Sequence, residues 1–362
     1  MTSRERVLAV FEGKLPDRCP IDFQATPDAE AMLTEAFGLS DAEALREYLG
    51  SDIRVVSPVP KPANLGVFAR HLFVEEAGPG RWLDNWGLTW QRVEVPAGDV
   101  FFDVVDAPLK DVAEVAEVED YPFPKPGQDW DFSGLRDEAL RHSGRAVAGQ
   151  TAAVFDDAWR LLGLEKMFID IALRPELVHA VLRKVCDYWL EFARLEFEAA
   201  AGALDLMWIF DDLGTQNGLV ISPETCREFV LPLIRERAEL CHSFGARAIL
   251  HCCGGIEPII EDMIAAGVDA LNPIQSAPRG MDRRLLKARY GDRLVFHGSV
   301  DEQRVLVPGT PDDVAADARE CIDTLGAGGG YIVAASHKIE TDISPENVKA
   351  MFFTAMEHGR YS

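Results

Sequence analysis

The sequence lacks the features of a membrane protein or of a secreted, disulfide-stabilised domain. None of its 362 residues belongs to an apolar run of the roughly 18 residues that a membrane-spanning helix needs. The segment from Met1 to Glu12 carries acidic side chains within a helical apolar pattern, which is not typical of a signal peptide. Seven cysteines in so long a chain do not indicate a disulfide framework. We therefore expect a cytoplasmic protein.

Positive charge is scarce. The chain has 36 Lys and Arg residues against 60 Asp and Glu residues, which gives a formal net charge of −24. Such a surface repels phosphate backbones and anionic lipids, so we expect neither nucleic acid nor a membrane as a partner. Small molecules and other proteins remain as partners, and a homodimer is compatible with the sequence.

Apolar runs alternate with helical patterns along the later part of the chain. The runs lie at residues 146–148, 204–210, 246–250, 268–271, 294–296 and 331–335. Three of the intervening helices are predicted to begin with a hydroxyl N-cap and a proline, at Ser222-Pro223, Thr310-Pro311 and Ser344-Pro345. Repeated strand–helix units predict a parallel sheet, and the lack of a glycine-rich nucleotide fingerprint favours a closed barrel over an open sheet.

We therefore predict an α/β fold, a (β/α)₈ TIM barrel with an N-terminal helix and hairpin elaboration. The strands should end on one rim, at Phe210, Leu250, Leu271, Phe296 and Ala335. A single domain is expected over residues 1–362. Within it, residues 68–130 are rich in aromatic side chains, glycine and proline, and this composition predicts an inserted, hairpin-rich segment.

Polar side chains follow the predicted strands one after another, where TIM barrels place their active sites. They are Asp211, Asp212 and Asn217 after the first of these strands, then His251 and Cys253, Asn272 and Gln275, His297, and His337. An Asp after a strand also caps turns, so Asp211 and Asp212 have a structural alternative. We expect Asp211, Asp212 and His297 to be catalytic.

The segment His251-Cys252-Cys253 carries the most specific local chemistry. Residues two apart in an extended chain point the same way, so His251 and Cys253 are expected to face the barrel mouth and Cys252 the helix layer. Imidazole and thiolate are ligands that zinc prefers, and a catalytic zinc has three protein ligands. His337 is a candidate for the third, and an acid such as Asp211 could replace it. A buried histidine beside inert thiols remains an alternative, because a lone His-x-Cys pattern has low specificity.

At these residues the chain resembles the uroporphyrinogen decarboxylase superfamily, over essentially its whole length. The resemblance is carried, in order, by the stretches at residues 16–23, 210–224, 250–255, 266–275, 297–301 and 328–337. Uroporphyrinogen decarboxylases carry an Arg-Gln-Ala-Gly-Arg motif whose arginines bind substrate carboxylates. The corresponding stretch here, residues 23–27, reads Phe-Gln-Ala-Thr-Pro and has no arginine. This departure argues against a porphyrin substrate, since unpaired carboxylates are costly to bind.

The other branch of the superfamily contains corrinoid- and thiol-dependent methyltransferases, whose zinc site uses a His-x-Cys pair and a later Cys. His251 and Cys253 match the pair, and His337 stands at the third position. The resemblance implies methyl transfer between a small methyl ether, amine or thiol and a corrinoid (cobalamin) held by a carrier protein. Gln24, Asn217, Asn272 and Gln275 would then bind the substrate. The alternatives are a metal-free decarboxylase acting on a small acid and a non-catalytic carrier-docking subunit.

Overall fold

The core of the protein is a curled sheet of parallel strands. The computed structural model describes residues 1–61, 65–94 and 100–361. Seven strands pair side by side, each parallel to its neighbour. In sheet order they are Ile53–Val55, Ala146–Ala153, Leu206–Phe210, Arg247–His251, Ala270–Asn272, Val295–Val300 and Tyr331–Ala335.

Residues 20–23 close this sheet into a barrel. Ile21 forms a parallel bridge with Val333 of the last strand. On its other side, the carbonyl of Ile21 accepts a hydrogen bond of 2.7 Å from the amide of Asp52, directly before the first strand. The segment therefore lies between the two sheet edges, in the position of the eighth strand of a TIM barrel.

Helices form the outer layer of the barrel, and the first helix closes one of its ends. Val7 and Val10 of the first helix pack with the inward side chains of the barrel strands. The helices are Ser3–Phe11, Pro27–Ala36, Ala42–Tyr48, Val115–Asp120, Pro126–Asp129, Leu135–Arg141, Val154–Leu162, Leu164–Leu173, Pro175–Ala200, Pro223–Thr225, Leu231–Ser243, Ile260–Ala265, Arg283–Tyr290, Pro311–Leu325 and Pro345–His358, with short π-helical turns at Cys226–Val230 and Glu302–Leu306 and a 3₁₀ turn at Glu257–Ile259. No helix of the described ranges is both long and apolar enough to cross a membrane.

A five-stranded antiparallel sheet is inserted between the first two barrel strands. Its strands are Gly66–Phe68, His71–Gly78, Arg81–Asp84, Thr89–Glu94 and Val100–Asp106. The sequence predicts hairpins in this region, although residues 95–99 of it lie outside the described ranges. Short paired strands also occur at Val59–Pro60 with Trp130–Asp131 and at Gly214–Thr215 with Gly218–Leu219.

The predicted α/β barrel is confirmed, although three strands extend beyond their predicted ends. Those predicted to end at Leu250 and Leu271 each run one residue further, to His251 and Asn272. Ser222, Thr310 and Ser344 all cap their helices as predicted, each accepting a backbone N–H three residues on. The strand predicted to end at Phe296 continues to Val300, because it pairs with Tyr331–Ala335 along its whole length. His297 therefore lies within a barrel strand and not in the loop behind it.

Candidate active site

A small cavity opens at the carboxyl ends of the barrel strands. The space there that is not filled by atoms, counted together with the solvent at its mouth, is about 290 Å³. Its wall is formed by Asp22, Gln24, His251, Asn272, His297, Ala334, Ala335, His337, Lys338, Ile339 and Phe352.

The pleat of the strands decides which side chains reach this cavity. Ile249 points into the barrel. Leu250 instead packs in the hydrophobic cluster between the barrel and the helices, the outer cluster. The alternation continues past the strand end, so His251 points inward and Cys252 outward. Cys252 is fully buried in the outer cluster, where its sulfur accepts the amide N–H of Leu213 at 3.3 Å. The predicted opposite orientation of the two cysteines is confirmed.

Asp212, His251 and Cys253 form a compact group of metal-binding donors. One carboxylate oxygen, one imidazole nitrogen and the thiol sulfur all lie within 4.8 Å of one another. Nε2 of His251 is 3.5 Å from Sγ of Cys253 and 3.9 Å from Oδ1 of Asp212. The same Oδ1 accepts the amide N–H of Cys253 at 2.8 Å, which fixes the two loops against each other.

The electrostatics of the group favour a bound cation. Burial lowers the pKa of His251, so the imidazole is neutral near neutral pH and keeps a lone pair. Burial, together with the Asp212 carboxylate, raises the pKa of the Cys253 thiol well above its ordinary range. The thiol therefore stays protonated near neutral pH unless a positive charge enters the group.

A second carboxyl group lies behind Asp212. Oδ2 of Asp156 accepts the amide N–H of Asp212 at 3.0 Å, and its Oδ1 accepts the indole N–H of Trp159 at 3.3 Å. Burial, together with the negative charge of Asp212, raises the pKa of Asp156 to about 7. Asp156 thus carries a proton that titrates near neutral pH beside the donor group.

Asp211 does not belong to the site, which corrects the catalytic role predicted for it. Its fully buried carboxylate points into the helix layer and accepts the amide N–H groups of Val154 and Phe155, at 2.9 and 2.6 Å. Arg237 forms a buried ion pair with it. Asp211 therefore has the structural role that the sequence left open for it, whereas Asp212, one residue later, belongs to the donor group.

This difference between adjacent aspartates is testable. Asp211→Asn should lower the free energy of unfolding by about 2 kcal/mol, because the buried guanidinium of Arg237 loses its charged partner. Asp212→Asn should change it by less than about 0.5 kcal/mol, because that side chain is 46% exposed. Urea unfolding of the two variants measures both values. Equal destabilisation would contradict the assignment.

The remaining predicted site residues occupy different places. His337 lies in the cavity wall but outside the donor group, which contains Asp212 instead; its ring centroid is 6.4 Å from that of His251. Gln275 accepts the amide N–H of Gly254 and donates to the carbonyl of Ser336, so it ties two loops together. Asn217 is exposed in the turn of a short hairpin, away from the residues that line the cavity, and its predicted substrate contact stays a prediction.

Gln24, Asn272 and His297 do line the cavity, together with two residues that sequence reasoning missed, Asp22 and Lys338. Asp22 has the inward position next to Ile21, whose side chain packs in the outer cluster, so a strand register for residues 20–23 would have identified it. Asp156 was missed because the second barrel strand runs to Ala153, five residues beyond the predicted apolar run.

Comparison with known proteins places this architecture in a family. The family model described as uroporphyrinogen decarboxylase (URO-D) matches residues 104–358. The uroporphyrinogen decarboxylase of Azoarcus sp. (strain BH72) is 30% identical over 198 residues, covering 52% of this chain and 49% of that protein. The methylated-thiol–coenzyme M methyltransferase of Methanosarcina mazei is 29% identical over 170 residues, covering 47% of this chain and 43% of that protein.

The chain thus spans about half the length of the curated relatives it matches. The fold agrees over a longer range. A solved methyltransferase from Methanosarcina mazei superimposes with a TM-score of 0.73 over 99% of both chains, at 18% sequence identity. The family model covers well over half of the sequence, and on that ground this chain belongs to the uroporphyrinogen decarboxylase family.

Proposed function

We propose that the protein transfers a methyl group between a small methylated compound and a corrinoid carried by a partner protein, at a zinc site. The observation that carries this proposal is the convergence of Asp212, His251 and Cys253 within 4.8 Å at the barrel mouth. Decarboxylation by proton transfer alone needs no thiol at this place. Similarity to a protein named methylated-thiol–coenzyme M methyltransferase also supports methyl transfer as the reaction.

The donor set fits zinc. Oxygen, nitrogen and sulfur ligands suit this borderline-soft ion, and three protein ligands leave one position for a substrate, as catalytic zinc sites do. When bound, zinc would supply Lewis acidity that activates the methyl-bearing heteroatom or holds a thiolate. The raised pKa of the Cys253 thiol is consistent with this assignment, since the thiolate requires a cation beside it.

Residues around the donor group have distinct tasks in this proposal. Asp156, whose pKa is raised to about 7 by burial and by the charge of Asp212, holds a proton for the heteroatom that loses its methyl group. His337 and Lys338 line the cavity beside the donor group and orient the substrate. The corrinoid would supply the cobalt nucleophile, and the barrel positions the methyl group for it.

Methyl transfer can be measured directly. Zinc-loaded protein is mixed with reduced cobalamin, as a substitute for the carrier-bound corrinoid, and with methyl ethers, methylamines and methyl thiols in turn. Formation of methylcobalamin, followed by absorbance, is the expected result for one of these classes, and Cys253→Ala should abolish it. Loss of CO₂ from small carboxylic acids, without methyl transfer from any donor, would support the decarboxylase alternative instead.

Uroporphyrinogen should not be a substrate. The cavity of about 290 Å³ is small for a tetrapyrrole, and residues 23–27 offer no arginine for its eight carboxylates. We expect no coproporphyrinogen above the enzyme-free background when the purified protein is incubated with uroporphyrinogen and products are separated by chromatography. Efficient conversion would contradict the proposed function.

A further inference from the structure

Five polar side chains form a hydrogen-bonded chain that ends at the donor group. Gln24 donates to Oδ2 of Asp22 at 2.9 Å, and the same oxygen is 3.1 Å from Nε2 of His297. Nδ1 of His297 is 2.7 Å from the amide nitrogen of Asn272, whose oxygen is 2.6 Å from Nδ1 of His251. The three central members, Asp22, His297 and Asn272, are buried.

The Asp22 carboxylate sets the direction of the hydrogen bonds between it and His251. The Asp22 carboxylate accepts, so a neutral His297 imidazole carries its proton on Nε2 and accepts at Nδ1. The amide NH₂ of Asn272 must then face His297, which turns its carbonyl oxygen toward His251. That oxygen requires a proton on Nδ1 of His251. The Nε2 lone pair of His251 is therefore left facing Cys253 and Asp212, at 3.5 and 3.9 Å.

Without a fixed acceptor, the same chain would satisfy its hydrogen bonds equally well in reverse. The Asn272 amide would turn by half a rotation, His251 would carry its proton on Nε2, and that N–H would point at the thiol. An Nε2–H group cannot bind a metal. The choice between these two states is made at Asp22, which is three hydrogen bonds away from His251 but 229 positions away in sequence.

We propose that Asp22 is a positioning residue, which acts through His297 and Asn272 to hold His251 in its Nδ1–H tautomer with the Nε2 lone pair toward Cys253 and Asp212. The consequence for zinc rests on the proposed function. The tautomer itself is a property of the metal-free protein, so the two can be tested separately.

The test combines imidazole NMR with zinc titration. Long-range ¹⁵N–¹H correlation of the metal-free protein resolves the tautomers of its eight histidines, and His251→Gln identifies the signal of His251. In the wild type, His251 should be protonated at Nδ1. In Asp22→Asn, a mixture of both tautomers should appear. Zinc affinity, measured by competition with a chromophoric chelator, should fall about tenfold, as for other residues that orient a metal ligand.

A double variant separates this effect from structural damage. In Asp22→Asn/Asn272→Asp, the new amide at position 22 donates to Nε2 of His297. The new carboxylate at position 272 accepts from Nδ1–H of both His297 and His251. The directions of the two hydrogen bonds of His297 are reversed, but His251 keeps its Nδ1–H tautomer. The double variant should therefore recover the wild-type His251 signal and at least the wild-type zinc affinity.

The outcomes are distinct. A single Nδ1–H tautomer of His251 in Asp22→Asn would overturn the inference, and so would a double variant that is no better than the single one. If the wild type binds no zinc, the proposed function fails. The NMR comparison of the three proteins would still decide whether Asp22 fixes the tautomer.

Discussion

Cys253→Ala is expected to remove nearly all zinc from the purified protein while leaving the barrel folded. The wild type should contain about one zinc per chain, because the three donors of Asp212, His251 and Cys253 leave one position open. Loss of the sulfur ligand should lower the affinity by at least about 100-fold, more than the loss of a residue that only orients a ligand. Metal analysis of protein prepared without chelators, followed by chelator competition, measures this.

Cys252→Ala is the matched control, because it removes the same chemical group one residue away. The Cys252 thiol is buried in the outer cluster, where it accepts the backbone N–H of Leu213. This variant should keep its zinc and lose some stability through a small cavity. Equal metal loss in both variants would contradict the assignment of Cys252 and Cys253 to opposite sides of the strand. Full zinc retention in Cys253→Ala would remove zinc from the proposed function.

The fold could be predicted from the sequence because the barrel is built from local patterns. Apolar runs, proline-started helices and hydroxyl caps such as Thr310 depend on neighbours a few residues away. The pairing of His251 with Cys253 was predictable for the same reason, since a two-residue spacing fixes their common direction.

The third donor, Asp212, and the hydrogen-bonded chain that ends at His251 could not be predicted in this way. Whether Asp211 or Asp212 joins the donor group depends on Arg237 and on the start of the helix Val154–Leu162, which together bind one carboxylate in the outer layer. The contact between Asp22 and His297 joins residues 275 positions apart, and only barrel closure brings them together. Resemblance to relatives suggested His337 as the ligand, but a family pattern does not determine which nearby side chain makes the contact.

His71 carries the other large effect, on stability. It lies in the inserted sheet and is fully buried between two carboxylates: Nδ1 is 2.6 Å from Asp84 and Nε2 is 3.1 Å from Asp157. Asp157 belongs to the helix that follows the second barrel strand, so this ion pair fastens the inserted sheet to the barrel. Burial alone would lower the pKa of His71, but the Asp157 and Asp84 carboxylates outweigh it and raise the pKa to about 9.

The pH dependence of stability follows from this shift. The folded pKa of about 9 exceeds the value of 6.5 for free histidine, so the folded state binds the proton more tightly than the unfolded state. The stabilisation from His71 is therefore complete below pH 6.5 and is lost as the pH rises toward 9. His71→Leu should lower the free energy of unfolding at pH 6 by about 3–5 kcal/mol, because two buried carboxylates lose their shared cation.

Urea unfolding of the wild type and His71→Leu at pH 6, 7.5 and 9 tests this, because the difference between the two proteins isolates the contribution of His71. That difference should be largest at pH 6 and should shrink steadily toward pH 9. The matched control is His358→Leu. His358 makes a 2.8 Å contact with Asp323 at the surface, and its loss should cost less than about 1 kcal/mol. A pH-independent difference for His71→Leu would show that His71 is neutral in the folded protein and acts only through packing.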